Sequence, residues 1–276
     1  MKISIVTLSF NQAEFLEQAI CSVINQSYQD IEYIVVDPGS TDGSRDIIEH
    51  YKSKISHIIL EPDNGPADGL NKGFGHAKGN IMGFLNADDV LEGGSLSSVV
   101  RYFKTNPCVD VVSGNSWVID ENGNKRRRFF SDKFSLWFAA YGASFLSQAS
   151  TFFRSEKFRQ IGGFNVENHV SWDGELFLDM ALIGARFARV EEIWSRFRVY
   201  DMSISGSGKL RSLNETTQAR LFTKVTGRDQ NFFDRYLMQG AKLLRKILHP
   251  HDTFERLIHG PIVGQGPSKD VLRLPS

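Results

Sequence analysis

The sequence predicts an α/β fold, a mostly parallel sheet with helices on both faces, followed by a helical C-terminal extension. Two observations carry this. Apolar, β-branched runs alternate with stretches of helical periodicity through the first 120 residues. Two of those runs end in carboxylates, at Asp37 and at Asp88 and Asp89, on the rim where open sheets bind ligands.

The elements follow in order. "ISIVTLSF" (3–10) reads as the first strand. Asn11, with Glu14 three residues later, forms a capping-box pattern, and Phe15, Leu16, Ala19, Ile20, Val23 and Ile24 recur behind it at helical spacing. "IEYIVVD" (31–37) is a second strand, and "GSTDGSRDIIEHY" supplies a turn, a cap and a helix. "HIILE" (57–61), a helix on "GLNKGFGHA" and a strand on "NIMGFLNA" (80–87) come next. Leu96, Val99, Val100 and Phe103 mark a further helix before "DVVSGNSWVID" (110–120). "VIDENGNKRRRFF" predicts a hairpin turning at "ENGN". Its basic run, "KRRRF" (125–129), reads either as a solvated strand face or as a phosphate-binding patch.

Composition excludes several classes. Thirty-two basic residues balance 32 acidic ones, so overall charge holds no nucleic acid. The 21 Phe mark a folded globule. Cys21 and Cys108 have no metal-type spacing, Cys21 reading as a reduced, buried thiol, and the seven histidines form no zinc cluster. No signal-peptide pattern and no membrane-spanning run is visible, which points to a cytoplasmic protein, with a peripheral place on the inner face of the cell membrane left open.

Two adjacent carboxylates on a strand end suit a hard divalent cation, Mn²⁺ or Mg²⁺, which shares its oxygen ligands with substrate phosphates. Capping of the following helix is the competing role for Asp88 and Asp89. Asp173, in "WDGE", precedes a helical pattern and is either a base or an N-cap, and Glu175 competes as base. Asp37 has a turn-organising role open to it with Pro38 and Gly39.

Across roughly residues 1–205 the chain resembles the inverting glycosyltransferases of family 2, of bacterial polysaccharide and O-antigen type, with the GT-A fold. "SIVTLSFNQAEFLEQAICSVINQSYQDIEYIVVDPGSTDGS" looks like the family's nucleotide-binding opening, and "EPDNGPADGLNKGFGHAKGNIMGFLNADD" like the stretch ending in its DxD-type motif. "SQASTFFRSEKFRQIGGFN" and "WDGELFLDMALIGARFARV" resemble the acceptor-side half. The resemblance implies a GT-A domain over 1–220, with a nucleotide half to about 120 and an acceptor half beyond it, and an extension over 221–276. It implies that Asp37 takes the base of a nucleoside-diphosphate sugar (UDP by default), with Ser9 and Asn11 lining that pocket. Asp68, Asn71 and Lys72 would lie against nucleotide and sugar. Asp88 would sit near the ribose, Asp89 would hold the metal, Asp173 would be the base and Arg198 would close over the diphosphate. Pro38 stands where the family has Gly or Asp, and Tyr200 replaces its His, which puts the metal geometry in doubt.

Residues 232–248 separate on a helical wheel. Phe232, Phe233, Tyr236, Leu237, Leu243, Leu244, Ile247 and Leu248 fall on one half and basic residues dominate the other. The helix either packs on its own domain or lies on a membrane surface, where a lipid-linked acceptor, rather than a soluble glycan, would be met. A nucleotidyltransferase acting on sugar phosphates and a non-catalytic nucleotide-sugar-binding module are the competing functions.

Overall fold

The computed structural model describes residues 1–200 and 211–260. The nucleotide half runs β1 (Ile3–Leu8), α1 (Ala13–Ile24), β2 (Ile31–Val36), α2 (Ser44–His50), β3 (His57–Ile59), α3 (Pro66–His76) and β4 (Ile81–Asn86). Then come β5 (Val90–Leu91), α4 (Ser95–Thr105), β6 (Val111–Ile119), β7 (Lys125–Phe129), α5 (Leu136–Ala140), β8 (Thr151–Arg154) and α6 (Ser155–Ile161). The chain continues through α7 (Trp172–Leu182), β9 (Phe187–Arg198), α8 (Arg211–Thr226), α9 (Phe232–Leu248) and α10 (Pro250–His259).

Among the described residues nine strands make one sheet in the order β3-β2-β1-β4-β8-β6-β9-β5, with β7 beside β6. β1 lies between β2 and β4, parallel to both, so Asp37 and the Asp88–Asp89 pair leave the same edge on either side of it. The second half is mixed, because β8 is antiparallel to β4 and β6. The 130–150 segment explains this. Gln148 Nε2 donates to the Phe84 carbonyl at 2.7 Å, so the chain stands at the rim and β8 must run away from it.

Strand residues alternate between two cores. Ile5, Tyr33, Val35 and Leu85 pack against Leu16 and Ile20 of α1 and Val99 of α4. Val6, Ile34, Val36 and Phe84 pack against Leu70 and Phe74 of α3, Phe158 of α6 and Phe177 of α7. Each fully buried Phe or Ile contributes about 1.5–3 kcal/mol, and on α1 and α4 the buried apolar positions are among those that the helical spacing marked.

Two local readings need correction and a third is qualified. Asn11 does not cap α1: its φ is +51°, a left-handed conformation that Asn tolerates, which turns its side chain across to accept the Thr41 N–H at 2.9 Å. Gln12 is the N-cap residue, and Asp42 from the next loop accepts the Ala13 N–H at 2.8 Å instead. The basic run of β7 is largely the solvated face that one of its readings gave, with Lys125, Arg126 and Arg128 exposed, but Arg127 is buried against Asp252 and Arg128 pairs with Glu255 at 2.7 Å. The boundary drawn at residue 220 falls inside α8, whose Phe222 packs with Tyr141 and Ala241. The expected hairpin does form, with Asp120 Oδ1 accepting the Asn122 and Asn124 N–H groups. Cys21 and Cys108 are free thiols, Cys21 only partly buried. No described helix is long and apolar enough to cross a membrane.

Gly83 sits where β4 meets the Phe152 ring, and a Cβ there would lie 2.6 Å from it. Gly83→Ala is expected to cost about 1–3 kcal/mol by overpacking, read as a lower thermal midpoint that Phe152→Leu in the same background partly restores.

Candidate active site

The parallel strands and the return segment enclose a cavity of about 560 Å³ at the rim, within the range of small-molecule sites. Its walls carry Asp88 from the end of β4, Asp173 from the first turn of α7, and Arg198 and Tyr200 from the end of β9. Gln12, Asn86, Ser147, Gln148 and Trp172 add to its polar lining.

Asp173 is the second residue of α7, and Ser171 holds the N-cap position, so the capping role considered for Asp173 falls elsewhere. Burial raises its pKa above the ordinary carboxylate value, because little but nearby backbone N–H groups stabilises the charged form. Glu175 is different. It is buried away from the cavity, accepts from Asn168 at 2.8 Å, and pairs with Arg220 at 2.7 Å and Lys224 at 3.0 Å. Burial alone would raise its pKa, but the bonds from Lys224, Asn168 and Asn165 outweigh that and lower it. A carboxylate so neutralised is a poor base, and its role is to hold α8 on α7.

The two adjacent aspartates part company. Asp89 is fully buried behind the cavity wall, where its Oδ1 accepts the Arg198 N–H at 2.9 Å. Desolvation, then the charge of Asp88, pushes its pKa well up. Asp88 faces the cavity, where the Tyr200 hydroxyl donates to its Oδ2 at 3.3 Å. Its pKa is also raised, chiefly by desolvation. The expected metal ligand, Asp89, therefore has its carboxylate turned inward, and Asp88 is the one presented. Among the described residues no three His, Cys, Asp or Glu converge as a metal cage. One desolvated carboxylate at an open cavity fits a cation that takes its other ligands from substrate phosphates and water.

Arg198 is not poised over the cavity as a free cation. Its Nε donates to the Asp88 carbonyl (2.9 Å), its Nη1 to the carbonyls of Asp120 (3.0 Å) and Glu121 (2.9 Å), and its Nη2 to Gln18 (2.9 Å). The guanidinium also lies 4.4 Å from the Phe15 ring centroid. Tyr200, in place of the family's His, bonds Gln12 and Asp88 at 3.3 Å each, and burial together with Asp88 raises its pKa to about 12.

The residues expected to grip the nucleotide mostly shape the wall behind it. Asp37 is fully buried and accepts from the Gly39 and Ser40 N–H groups, the Ser40 hydroxyl and Arg45 Nε, which is the turn-organising role. Ser9 is buried, its Oγ without a partner among the described residues, and Asn11 pins the adjoining loops together. On α3, Asn71 exchanges two 2.8 Å bonds with the Phe164 backbone, which fixes the loop before α7. Asp68 and Lys72 pair with each other at 3.5 Å. Pro66, at the start of α3, reaches the cavity, whereas none of those three does. Sequence reasoning missed Trp172, whose buried Nε1 has no partner on the cavity wall, and Gln148, which bonds Asn86 at 3.3 Å. Only their place inside the quoted motifs, beside Asp173 and in "SQAS", marked them.

The model of glycosyl transferase family 2 matches residues 4–162. The chain belongs to glycosyltransferase family 2. Curated relatives include an uncharacterised glycosyltransferase of Nostoc sp., 36% identical over 146 residues, or 49% of this chain and 45% of that one. The putative teichuronic acid biosynthesis glycosyltransferase TuaG of Bacillus subtilis is 31% identical over 49% of this chain and 54% of its own length. A Campylobacter jejuni GalNAc(5)-diNAcBac-PP-undecaprenol beta-1,3-glucosyltransferase is 32% identical over 46% of this chain and 42% of its own. The matches thus span about half the length of these curated relatives. Among solved structures, S. aureus TarS 1-349 with UDP-GlcNAc superposes with a TM-score of 0.69 at 18% identity, covering 93% of this chain and 74% of that one. The mannosyltransferase PcManGT of Pyrobaculum calidifontis, with GDP-Man and Mn²⁺, gives 0.64 at 17% identity over 93% and 74%. At such identities the likeness is one of fold, and that fold is GT-A, as expected from the motifs.

Glu175→Gln in this family 2 chain is expected to cost about 1–2 kcal/mol, discounted because Arg220 and Lys224 are partly solvated. Its depressed pKa contributes stability above the unfolded value of about 4.3, and that contribution disappears as pH falls through the lower folded value. Urea midpoints of both proteins should therefore differ near neutrality and converge in acid.

Proposed function

We propose that this chain moves a hexosyl group from a nucleoside-diphosphate sugar to a hydroxyl of a glycan or lipid-linked acceptor, by one displacement that inverts the anomeric carbon. One observation carries the reading: Asp88 and Asp173, from distant segments, share the walls of a single cavity. UDP is the default nucleotide, supported by the UDP-GlcNAc held by TarS, with the GDP-Man of PcManGT as the other precedent. The Campylobacter relative named for an undecaprenol-linked glycan supports a lipid-linked acceptor.

Each residue then has a task. Asp173 accepts the proton of the acceptor hydroxyl as its oxygen bonds to the anomeric carbon. The bond from that carbon to the phosphate oxygen breaks, and its electron pair leaves with the diphosphate. The raised pKa makes Asp173 a stronger base than a solvated carboxylate, and the first turn of α7 holds it still. Asp88 would hold Mn²⁺ or Mg²⁺, which when bound neutralises charge on the departing diphosphate. Asp89 and Arg198 act as positioning residues that keep Asp88 facing the cavity. The Trp172 Nε1, on the cavity wall and without a hydrogen-bond partner among the described residues, is a donor that a bound nucleotide sugar or acceptor would satisfy, and Ser9 lies behind that wall between the lining residues Leu8 and Phe10. Asp37 and Asn11 act on the base through the 38–44 loop, and Asp68, Asn71 and Lys72 through the placing of α3 and the loop before α7.

Asp173→Asn should lower nucleotide release in the presence of acceptor about 10²–10⁴-fold, while donor binding by calorimetry stays within error. A non-catalytic module would show no turnover in either protein. Because the base works ionised, kcat/KM should fall in acid through a pKa above the ordinary carboxylate value of about 3.9. Asp88, Tyr200 and Arg198 are the other titratable groups on the cavity walls.

Nucleoside diphosphates should raise the thermal midpoint, by about 2.7 kcal/mol of stabilisation at one hundred times Kd, with a further rise on adding Mn²⁺. Asp88→Asn should abolish only the Mn²⁺ increment. Asp89→Asn should instead lower the midpoint of the unliganded protein, and an unchanged Mn²⁺ increment in Asp88→Asn removes the ligand role.

A further inference from the structure

Helices α9 and α10 are built inside out relative to an ordinary surface helix. Every acidic side chain they carry points into the domain and is paired. Asp234 holds Arg228 at 2.7 Å, Asp252 holds Arg245 at 3.3 Å, and Glu255 holds Arg128 at 2.7 Å. Apart from Ala241 and Met238, the apolar side chains point out. Phe233, Leu243 and Ile247 on α9, and Phe254, Leu257 and Ile258 on α10, are 61% to 75% exposed. Arg235, Lys242, Lys246 and Arg256 are exposed on the same two helices. The solvent side is therefore apolar and cationic, with its negative charge withdrawn inward.

We infer that α9 and α10 together form a docking plate for a bilayer surface carrying anionic headgroups. Exposed aromatic and aliphatic side chains enter the boundary between headgroups and acyl chains, and the flanking cations meet the headgroups. A second copy of this chain fits less well, because a two-fold contact would bring the same cations onto one another. Phe254, Leu257 and Ile258 recur at helical spacing on α10 as the apolar residues do on α9, so both helices present the same kind of surface.

The plate is fastened to the site. Arg245 of α9 bonds Asp132 at 2.7 Å and lies 4.7 Å from the ring centroid of Phe145, which lines the cavity. Glu255 of α10 accepts the Arg128 backbone N–H at 2.9 Å, next to Phe129 on the same cavity wall. Docking through the plate would hold that wall at a fixed orientation to the lipid, where an acceptor anchored in the bilayer presents its glycan. This last step rests on the sugar-transfer reading; the docking itself does not.

The test is flotation of the full chain with phosphatidylcholine vesicles and with vesicles also containing phosphatidylglycerol. Binding should be at least about ten-fold greater with the anionic lipid and should weaken as salt rises. The triple variant Leu243→Ser, Ile247→Ser, Leu257→Ser should lose it while keeping the circular dichroism and thermal midpoint of the parent. It should also keep its turnover of UDP-sugar with a soluble acceptor, so a loss of docking is read apart from a loss of chemistry. The inference is overturned if the parent does not float with anionic vesicles, or if the variant floats as well as the parent. It is equally overturned if sedimentation shows a dimer that the substitutions dissociate, which would give the face to a second copy.

Discussion

The site depends on one buried knot, in which Arg198 joins the end of β9 to the end of β4. Its backbone N–H binds Asp89, and its guanidinium donates to the carbonyls of Asp88, Asp120 and Glu121 and to Gln18. Removing a guanidinium and a carboxylate from water costs several kcal/mol per ion. That cost is offset only because nearly every donor is satisfied and the Phe15 ring covers the cation. The consequence is geometric. With its carbonyl and its neighbour both held from behind, Asp88 has nowhere to turn but the cavity.

The same logic sorts the remaining carboxylates. Glu175 stands two residues from Asp173 on one helix, but side-chain cations and amides bond Glu175, whereas among the described residues the Asp173 carboxylate has nearby backbone N–H groups. One becomes a structural tie with a lowered pKa, the other a desolvated group with a raised one. Environment, not residue type, separates the base from the brace. Tyr200 belongs to the same arrangement: its hydroxyl bonds Asp88, where a His would offer a ring nitrogen.

The C-terminal helices show how a pattern can be read correctly and still leave its meaning open. The wheel over residues 232–248 separates an apolar from a polar half, and ordinarily the apolar half turns inward. Here the inward contacts are mainly ionic, through Asp234, Arg245 and the Asp252–Arg127 and Glu255–Arg128 pairs, with Ala241 packing beside Phe222. Arg127 and Arg128 of β7 receive Asp252 and Glu255, which their position after a hairpin turn did not reveal.

What the sequence determined by itself is the part governed by local periodicity and by motif order. That part comprises the alternation of strands and helices in the first half, the hairpin at Asp120 and the carboxylates at the strand ends. Its motifs also sufficed to name the family and the GT-A fold. These features arise from side chains within a few residues of one another, so a linear reading captures them. Tertiary structure alone decided which carboxylate faces the cavity, that Arg198 is a strut, that Asn11 and Asn71 tie loops together, and which face of α9 is covered. Each of those depends on partners far along the chain, and a hydrogen bond's direction is settled only when both ends are in place.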